Sequence, residues 1–260
     1  MPKIFRMLGA VLPLLLVPGI GSSHEIHIVH CLKGCPTGTP ASNDLIVREI
    51  YALSSNDATK FADWVAYRVT SETMGTSKSL NRDWESDPLL DDDETLEPDD
   101  YKSAFRDLKT DRGHQAPLAS FAGTVFWRST NILSNITPQK SALNQGAWVD
   151  LESAIRNAAY ERRMVYVITG PLYDPEENQM LLPESDEPHT VPTGYWKVIA
   201  TKSGAVTAFI FDQDTPRDAD YCDHIELLTE VEQQSGLDLF PRVSGWPTSD
   251  LNSLLGCPQS

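Results

Sequence analysis

The sequence is poor in histidine and cysteine and has a large deficit of positive charge. Among 260 residues there are 6 histidines and 4 cysteines, and 21 basic residues are outnumbered by 37 acidic ones, which gives a net charge of −16. A chain of this charge is repelled by nucleic acid as a whole. Heptads and fixed-period repeats are absent, which excludes a coiled coil or a solenoid, whereas 40% hydrophobic residues are enough to bury a sizeable core.

Long hydrophobic runs are absent beyond the first residues. Lys3 and Arg6 precede an apolar run at 7–20, which ends in small residues at 21–23. The run is too short and too interrupted by proline to span a bilayer, and its pattern is typical of a secretory signal peptide. We therefore expect a signal peptide over 1–23, a single mature domain over 24–260, no membrane span, and secretion to the periplasm or the extracellular space.

The four cysteines form two pairs in sequence, Cys31 with Cys35 and Cys222 with Cys257. An even number of cysteines in an exported chain favours disulfides, and pairing of sequence neighbours is favoured over the other two connectivities. A zinc site is the alternative, but no pair of histidines has the spacing of a zinc finger.

Hydrophobic patterning predicts a sheet with one long helix and one solvated acidic loop. The loop, residues 86–100, carries eight acids and two prolines. The predicted strands are 45–53, 64–70, 165–169, 195–200 and 205–211, the last two joined as a hairpin by residues 201–204. The helix is predicted over 145–163.

Two neighbouring stripes run along the predicted helix. A core stripe of small and aliphatic residues comprises Ala147, Leu151, Ala154, Ile155 and Ala158. A second stripe at steps of four comprises Asn144, Trp148, Glu152 and Arg156. Taken alone, Glu152 and Arg156 are an ordinary i,i+4 ion pair and Asn144 is a helix cap.

The segment DRGH at 111–114 places a histidine beside an arginine ahead of a proline, where a regular helix cannot run. Residues 105–163 carry 8 basic and 5 acidic side chains, so this segment is positive although the chain is negative. A packed turn is one interpretation. The other is a catalytic base, His114, beside an anion-binding Arg112, with Gly113 supplying the backbone freedom to present both.

DRGH is followed by SNITPQ at 134–139, LNQGAW at 143–148, and then Glu152 and Arg156. This ordered series resembles the DNA/RNA non-specific endonucleases with the ββα-metal motif, and closely resembles their secreted Serratia type. The similarity continues through TGPLYD, PTGYWKV and FDQDTP and so covers nearly all of the mature chain. It implies an α+β fold in which helices pack on a central antiparallel sheet, with a ββα-metal (His-Me finger) element over about residues 108–156.

The same resemblance implies a role for each matching residue. His114 would be the general base, Asn144 the side-chain ligand of one Mg²⁺, and Glu152 a neighbour that orders metal-bound water. Contacts to phosphate or to the transition state are implied for Arg82, Arg112, Asn135 and Arg156. The implied activity is Mg²⁺-dependent hydrolysis of DNA and RNA to 5′-phosphorylated products, and homodimerisation occurs in this family. Asn135 also begins a glycosylation sequon, which we interpret as coincidence because a glycan would block substrate.

Two other functions are compatible with the composition. A serine hydrolase would use the available serine, histidine and aspartate, but no G-x-S-x-G elbow is present. A secreted acidic binding module without catalysis predicts instead that His114→Ala leaves the function intact.

Overall fold

The computed structural model describes residues 26–176 and 180–258, so the predicted signal peptide lies outside the described residues. Nine strands and five α-helices occur in the described ranges. In chain order they are β1 (Asp44–Val47), β2 (Tyr51–Ser55), β3 (Ala62–Thr70), α1 (Ala104–Leu108), β4 (Thr110–His114), α2 (Leu118–Phe121), β5 (Ile136–Lys140), α3 (Ser141–Asn144), α4 (Ala147–Arg162), β6 (Met164–Leu172), β7 (Gly194–Ala200), β8 (Val206–Asp212), β9 (Ile225–Glu226) and α5 (Leu228–Ser235). Within these ranges no helix is long and apolar enough to cross a bilayer.

Seven strands form one antiparallel sheet in the order β1-β2-β3-β6-β7-β8-β9. Side chains alternate between its two faces, and both faces are covered. Val65 and Tyr67 of β3 pack in the core that includes α4, whereas Trp64 and Ala66 pack in a second core that includes Val231 of α5. Burial on both faces explains why these strands are almost continuously apolar. The expected α+β fold with a central antiparallel sheet is confirmed.

A two-stranded hairpin, β4 paired with β5, stands beside this sheet and with α4 forms the expected ββα element. Buried hydrogen bonds tie the hairpin to the sheet: Tyr195 Oη donates to the Pro138 carbonyl at 2.9 Å, and Gln213 Nε2 donates to the same carbonyl at 2.8 Å. Because the hairpin is fixed to β7 and β8, the DRGH segment that forms β4 has a defined position relative to α4.

Helix α4 confirms the predicted core stripe, since Ala147, Leu151, Ile155 and Ala158 are buried against the sheet. The predicted second stripe is wrong in two respects. Gly146 separates α3 from α4, so Asn144 ends the preceding short helix, and Trp148 is 1% exposed and belongs to the core. Added to Gly146, a Cβ would lie 2.3 Å from the Arg217 carbonyl oxygen, so only glycine allows this close passage of the chain.

Two predictions in the first hundred residues also need correction. The single strand predicted over 45–53 is two antiparallel strands, β1 and β2, with a tight reversal between them. Arg48 lies in this reversal and forms an ion pair with Asp87, whose side chain is fully buried. Asp87 belongs to the acidic run at 86–100, which is therefore not wholly solvated: Asp87 and Asp100 are both buried, and Asp87 also accepts a hydrogen bond from Ser134.

Both predicted disulfides are present. Cys31 is bonded to Cys35, and Cys222 is bonded to Cys257, with sequence separations of 4 and 35 residues. The second bridge fastens the C-terminal segment to the segment before β9. No cysteine is left as a zinc ligand.

Candidate active site

A cavity of about 690 Å³ lies beside the ββα element, between β4, α1, α3 and the first turns of α4. Six of the seven residues predicted from the sequence line it: Arg82, Arg112, His114, Asn144, Glu152 and Arg156. Three of them are arginines, whereas only two carboxylates, Asp111 and Glu152, line the cavity. The cavity is therefore locally positive in a strongly acidic chain, which favours an anionic ligand.

His114 is the last residue of β4, and its ring is held from one side. Its Nε2 lies 3.1 Å from Oδ1 of Asn131. The Asn131 amide is itself oriented, because its Nδ2 donates to the Asn81 carbonyl at 3.3 Å. Oδ1 can only accept, so Nε2 carries the proton, and Nδ1 of the neutral ring has a free lone pair. Nδ1 has no hydrogen-bond partner within the described ranges, so this lone pair is available to a ligand.

The environment keeps His114 neutral. Partial burial of the ring lowers the pKa of His114 to about 4, and the positive charge of Arg82 acts in the same direction. The hydrogen bond to Asn131 opposes this shift without overcoming it. Below neutral pH, down to about this pKa, the ring therefore remains a proton acceptor.

Gly113 has a different role from the one predicted. It lies within regular strand β4 opposite Thr137, without a positive φ. A Cβ at this position would lie 2.7 Å from both Cβ and Oε1 of Gln139, which is fully buried. Glycine is required here for close packing. Arg112 and His114 share a side of the hairpin because alternate residues of a strand do so.

Arg112 is bound to the cavity wall through groups that the sequence did not reveal. Its guanidinium lies 5.5 Å from the centre of the Trp84 ring and 5.0 Å from that of Tyr101, and Nη2 donates to the Pro98 carbonyl at 2.7 Å. The ring of Trp84 also lies 5.4 Å from that of His114. Trp84 thus fills the space between the arginine and the histidine.

Asn144 is oriented by Asp111, a residue of the DRGH segment without a predicted role. Asp111 accepts hydrogen bonds from Asn144 Nδ2 at 2.9 Å, Gln145 Nε2 at 2.7 Å and Ser141 Oγ at 2.7 Å. Because Nδ2 of Asn144 faces Asp111, Oδ1 of the same amide points away from it, and this oxygen has no hydrogen-bond donor in the described part of the chain. The cavity thereby contains a fixed, neutral oxygen ligand.

Glu152 and Arg156 are one turn apart on α4. Their closest charged atoms are 4.0 Å apart, and Arg156 Nη2 donates to Ser153 Oγ at 2.7 Å. Behind them the ammonium of Lys197, fully buried, lies 4.1 Å from the centre of the Trp148 ring. Burial raises the pKa of Glu152, while the charges of Lys197 and Arg156 counteract this; burial lowers the pKa of Lys197. A lysine in an otherwise apolar strand was the available sequence signal for this buried charge.

The structure does not bring Asn135 to the cavity. Asn135 is fully buried, and its side-chain amide is occupied by backbone groups: it accepts from Ala116 N at 2.8 Å and donates to the carbonyls of Ala116 and Thr130 at 3.0 and 2.8 Å. These bonds link the residues after His114 to the residue before Asn131. Its burial also makes the sequon inaccessible to a glycan in the folded protein.

Carboxylate clusters elsewhere do not contribute to this cavity. Two groups of three acidic residues bring their oxygens within 4.8 Å of one another among the described residues. They are Asp44 with Asp57 and Glu94, and Asp100 with Asp186 and Glu187. Neither group lines the cavity, where the amide of Asn144 and the carboxylates of Glu152 and Asp111 provide oxygen atoms for a cation.

An antiparallel hairpin followed by a helix, with a proton-accepting histidine at the end of a strand and arginines around it, defines a phosphodiester-cleaving enzyme of the nuclease class. Comparison with known proteins agrees, since residues 32–245 match the model of the DNA/RNA non-specific endonucleases. The chain belongs to this family and is an endonuclease.

Individual relatives cover most of the chain. It is 46% identical over 243 residues to the nuclease of Serratia marcescens, covering 88% of this chain and 90% of that protein. It is 29% identical over 252 residues to nuclease C1 of Cunninghamella echinulata var. echinulata, covering 86% and 93% of the two. The fold is shared with EndoG in a crystal structure of the EndoG/EndoGI complex, with a TM-score of 0.69, 23% identity, and coverage of 82% and 92%. Membership in this family decides against both a serine hydrolase and a non-catalytic binding module.

Proposed function

We propose that this cavity hydrolyses phosphodiester bonds in DNA and RNA with His114 as the general base. The observation that carries the proposal is the fixed ring of His114: Asn131 holds Nε2–H, and the free Nδ1 lies in a cavity lined by three arginines. Nδ1 accepts a proton from water, the water oxygen attacks phosphorus, and the bond from phosphorus to the 3′-oxygen breaks. The products are a 5′-phosphate and a 3′-hydroxyl, whose proton comes from solvent.

The residues around Asn144 fit the Mg²⁺ ion predicted from the sequence. Mg²⁺ prefers oxygen ligands and keeps several of its waters, and the neutral Oδ1 of Asn144, oriented by Asp111, is such a ligand. Glu152 would accept hydrogen bonds from the remaining waters, and its charge is supported by Arg156 and Lys197. Bound there, Mg²⁺ would stabilise negative charge on the phosphate and the leaving oxygen.

The arginines are assigned to the phosphate backbone. Arg82 is exposed at the cavity and has no hydrogen bond or ion pair within the described ranges, so its guanidinium is free to contact phosphate. Arg156 contributes a second cation, and Arg112, held by Trp84 and Tyr101, a third. Contacts of this kind read no base edge, in keeping with cleavage without sequence preference. For Asn135 we propose a positioning role through the backbone at Ala116 in place of a direct phosphate contact.

The test compares His114→Ala with a matched histidine outside the cavity, His224→Ala. Purified proteins are incubated with plasmid DNA and with RNA, with Mg²⁺ and with EDTA. We expect His114→Ala to lower the rate by about 10²- to 10⁴-fold while His224→Ala changes it little. Free imidazole added to His114→Ala should restore part of the rate. A near-wild-type rate for His114→Ala, or full activity in EDTA, would refute the assigned base or the metal.

The proposal also includes export of the protein after cleavage of its signal peptide, and it leaves the oligomeric state to be measured. Two disulfides fit an oxidising compartment, which supports the predicted signal peptide and secretion. Expression in a bacterial host and N-terminal sequencing of the exported protein would locate the cleavage site expected near residue 23. Light scattering on the mature protein would distinguish the monomer from the homodimer that occurs in this family.

A further inference from the structure

An exposed phenyl group stands at the catalytic cavity without a packing role. Phe105 is 64% exposed and lines the same cavity as His114 and Asn144. It belongs to the short helix α1, which is anchored by two other residues: Ala104 is buried, and Leu108 packs against the same small core. Phe105 is not part of that core, and its ring contacts no other ring within the described ranges.

The charges next to Phe105 are already paired. Arg106 binds Asp107 through two hydrogen bonds, Nε to Oδ1 at 2.6 Å and Nη2 to Oδ2 at 2.8 Å. Val149, on the first turn of α4, is 38% exposed and lines the same cavity. The cavity is therefore lined by two exposed apolar side chains as well as by the three arginines.

An exposed aromatic side chain beside phosphate-binding cations is an arrangement that suits single-stranded nucleic acid. Cations follow the backbone, and every base offers a π-face on which an aromatic ring can stack, so such contacts tolerate any sequence. Because Phe105 lines the same cavity as His114 and the arginines, a strand whose scissile phosphate lies there can bring a flanking base to the phenyl ring. In a duplex both faces of that base are covered by its neighbours, so a phenyl group can stack only on a base that is unpaired or partly unstacked.

We propose that Phe105 stacks on a base flanking the scissile phosphate and thereby makes unpaired strands the better-bound substrates. This proposal rests on the proposed nuclease function of the same cavity and assigns it a substrate class. Phe105 contacts the substrate and does not take part in proton transfer.

The test measures KM and kcat on a labelled oligonucleotide as a single strand and as the matched duplex. Phe105→Ala and Phe105→Leu should each raise KM for the single strand by about 5- to 100-fold, with a change below about threefold on the duplex and on kcat. Phe105→Trp should retain tight binding. The leucine variant keeps the apolar bulk but removes the π-face, so it separates stacking from simple burial. Tyr160→Ala, which removes another exposed aromatic group outside the cavity, should match wild type.

A second arm locates the base. An abasic site beside the cleaved phosphate should weaken binding to wild type by the same factor and cause no further loss in Phe105→Ala. The stacking proposal alone would be overturned in either of two cases, provided that cleavage still depends on His114. In the first, Phe105→Ala has the wild-type KM for the single strand. In the second, Phe105→Ala raises KM equally for the single strand and the duplex. A wild-type protein that cleaves no nucleic acid would overturn the nuclease function and this proposal together.

Discussion

Replacing Asn131 by aspartate tests the orientation of the catalytic ring most directly. In the wild-type protein a neutral amide oxygen lies 3.1 Å from Nε2 of His114. The Asn131→Asp change puts a carboxylate in the same place and keeps the shape of the side chain. It therefore adds a negative charge next to the ring, and it also removes the hydrogen bond that Nδ2 donates to the Asn81 carbonyl.

The expected shift follows from that distance. An opposite charge within about 4–6 Å changes a pKa by about 1–3 pH units toward the charged form. The pKa of His114, lowered to about 4 by burial in the wild type, should thus rise to about 5–7 in the variant. Because the base works only when neutral, the acid limb of kcat/KM should move upward with the pKa, and cleavage near pH 5 should fall while cleavage near pH 8 is retained.

Two measurements check the result. Proton NMR titration of the imidazole resonances in the metal-free protein, assigned by the loss of one resonance in His114→Ala, gives the pKa directly, and the pH profile of cleavage gives its consequence. Asn131→Ala is the control, since it removes the hydrogen bond without adding charge and should not raise the pKa. A wild-type pKa near 6.5, or an unchanged pKa in Asn131→Asp, would refute the assigned ring environment.

Three further predictions concern the groups that support the site. Asp111→Ala releases the Asn144 amide and should raise the Mg²⁺ concentration needed for half-maximal cleavage rate by about 10- to 100-fold. An unchanged Mg²⁺ concentration would show that Asp111 does not orient Asn144. Lys197→Met removes a charge that lowers the pKa of Glu152, which lines the cavity, so the acid limb of the cleavage pH profile should move to higher pH. An unchanged pH profile would contradict this. Replacing Cys222 and Cys257 by serine should lower the free energy of unfolding in urea by about 4 kcal/mol for the 35-residue separation, and a loss below about 1 kcal/mol would show that the bridge adds little.

Local patterns were sufficient for the central strands of the sheet and for α4, but not for the short helices. The strand over 64–70, the hairpin of β7 and β8 and the core stripe of α4 follow from periodicity and from turn residues between apolar runs, because burial against a sheet or a helix imposes these periods on neighbouring residues. The same patterns could not predict the break between β1 and β2. That break is accompanied by an ion pair between Arg48 and Asp87, which lie 39 residues apart.

The sequence by itself supplied the chemical groups of the site: DRGH, Asn144, Glu152 and the arginines were identified from motif order and resemblance. Only the tertiary structure decided what each group faces. Asn131 is 17 residues from His114 and Asp111 is 33 residues from Asn144, so neither contact is encoded in a local spacing. Asn135 has the right place in the motif, yet folding buries it and occupies its amide with backbone groups. The physical reason is that hydrogen-bond partners and burial are set by the packing of β4, β5 and α4 against the sheet, which joins residues distant in the chain.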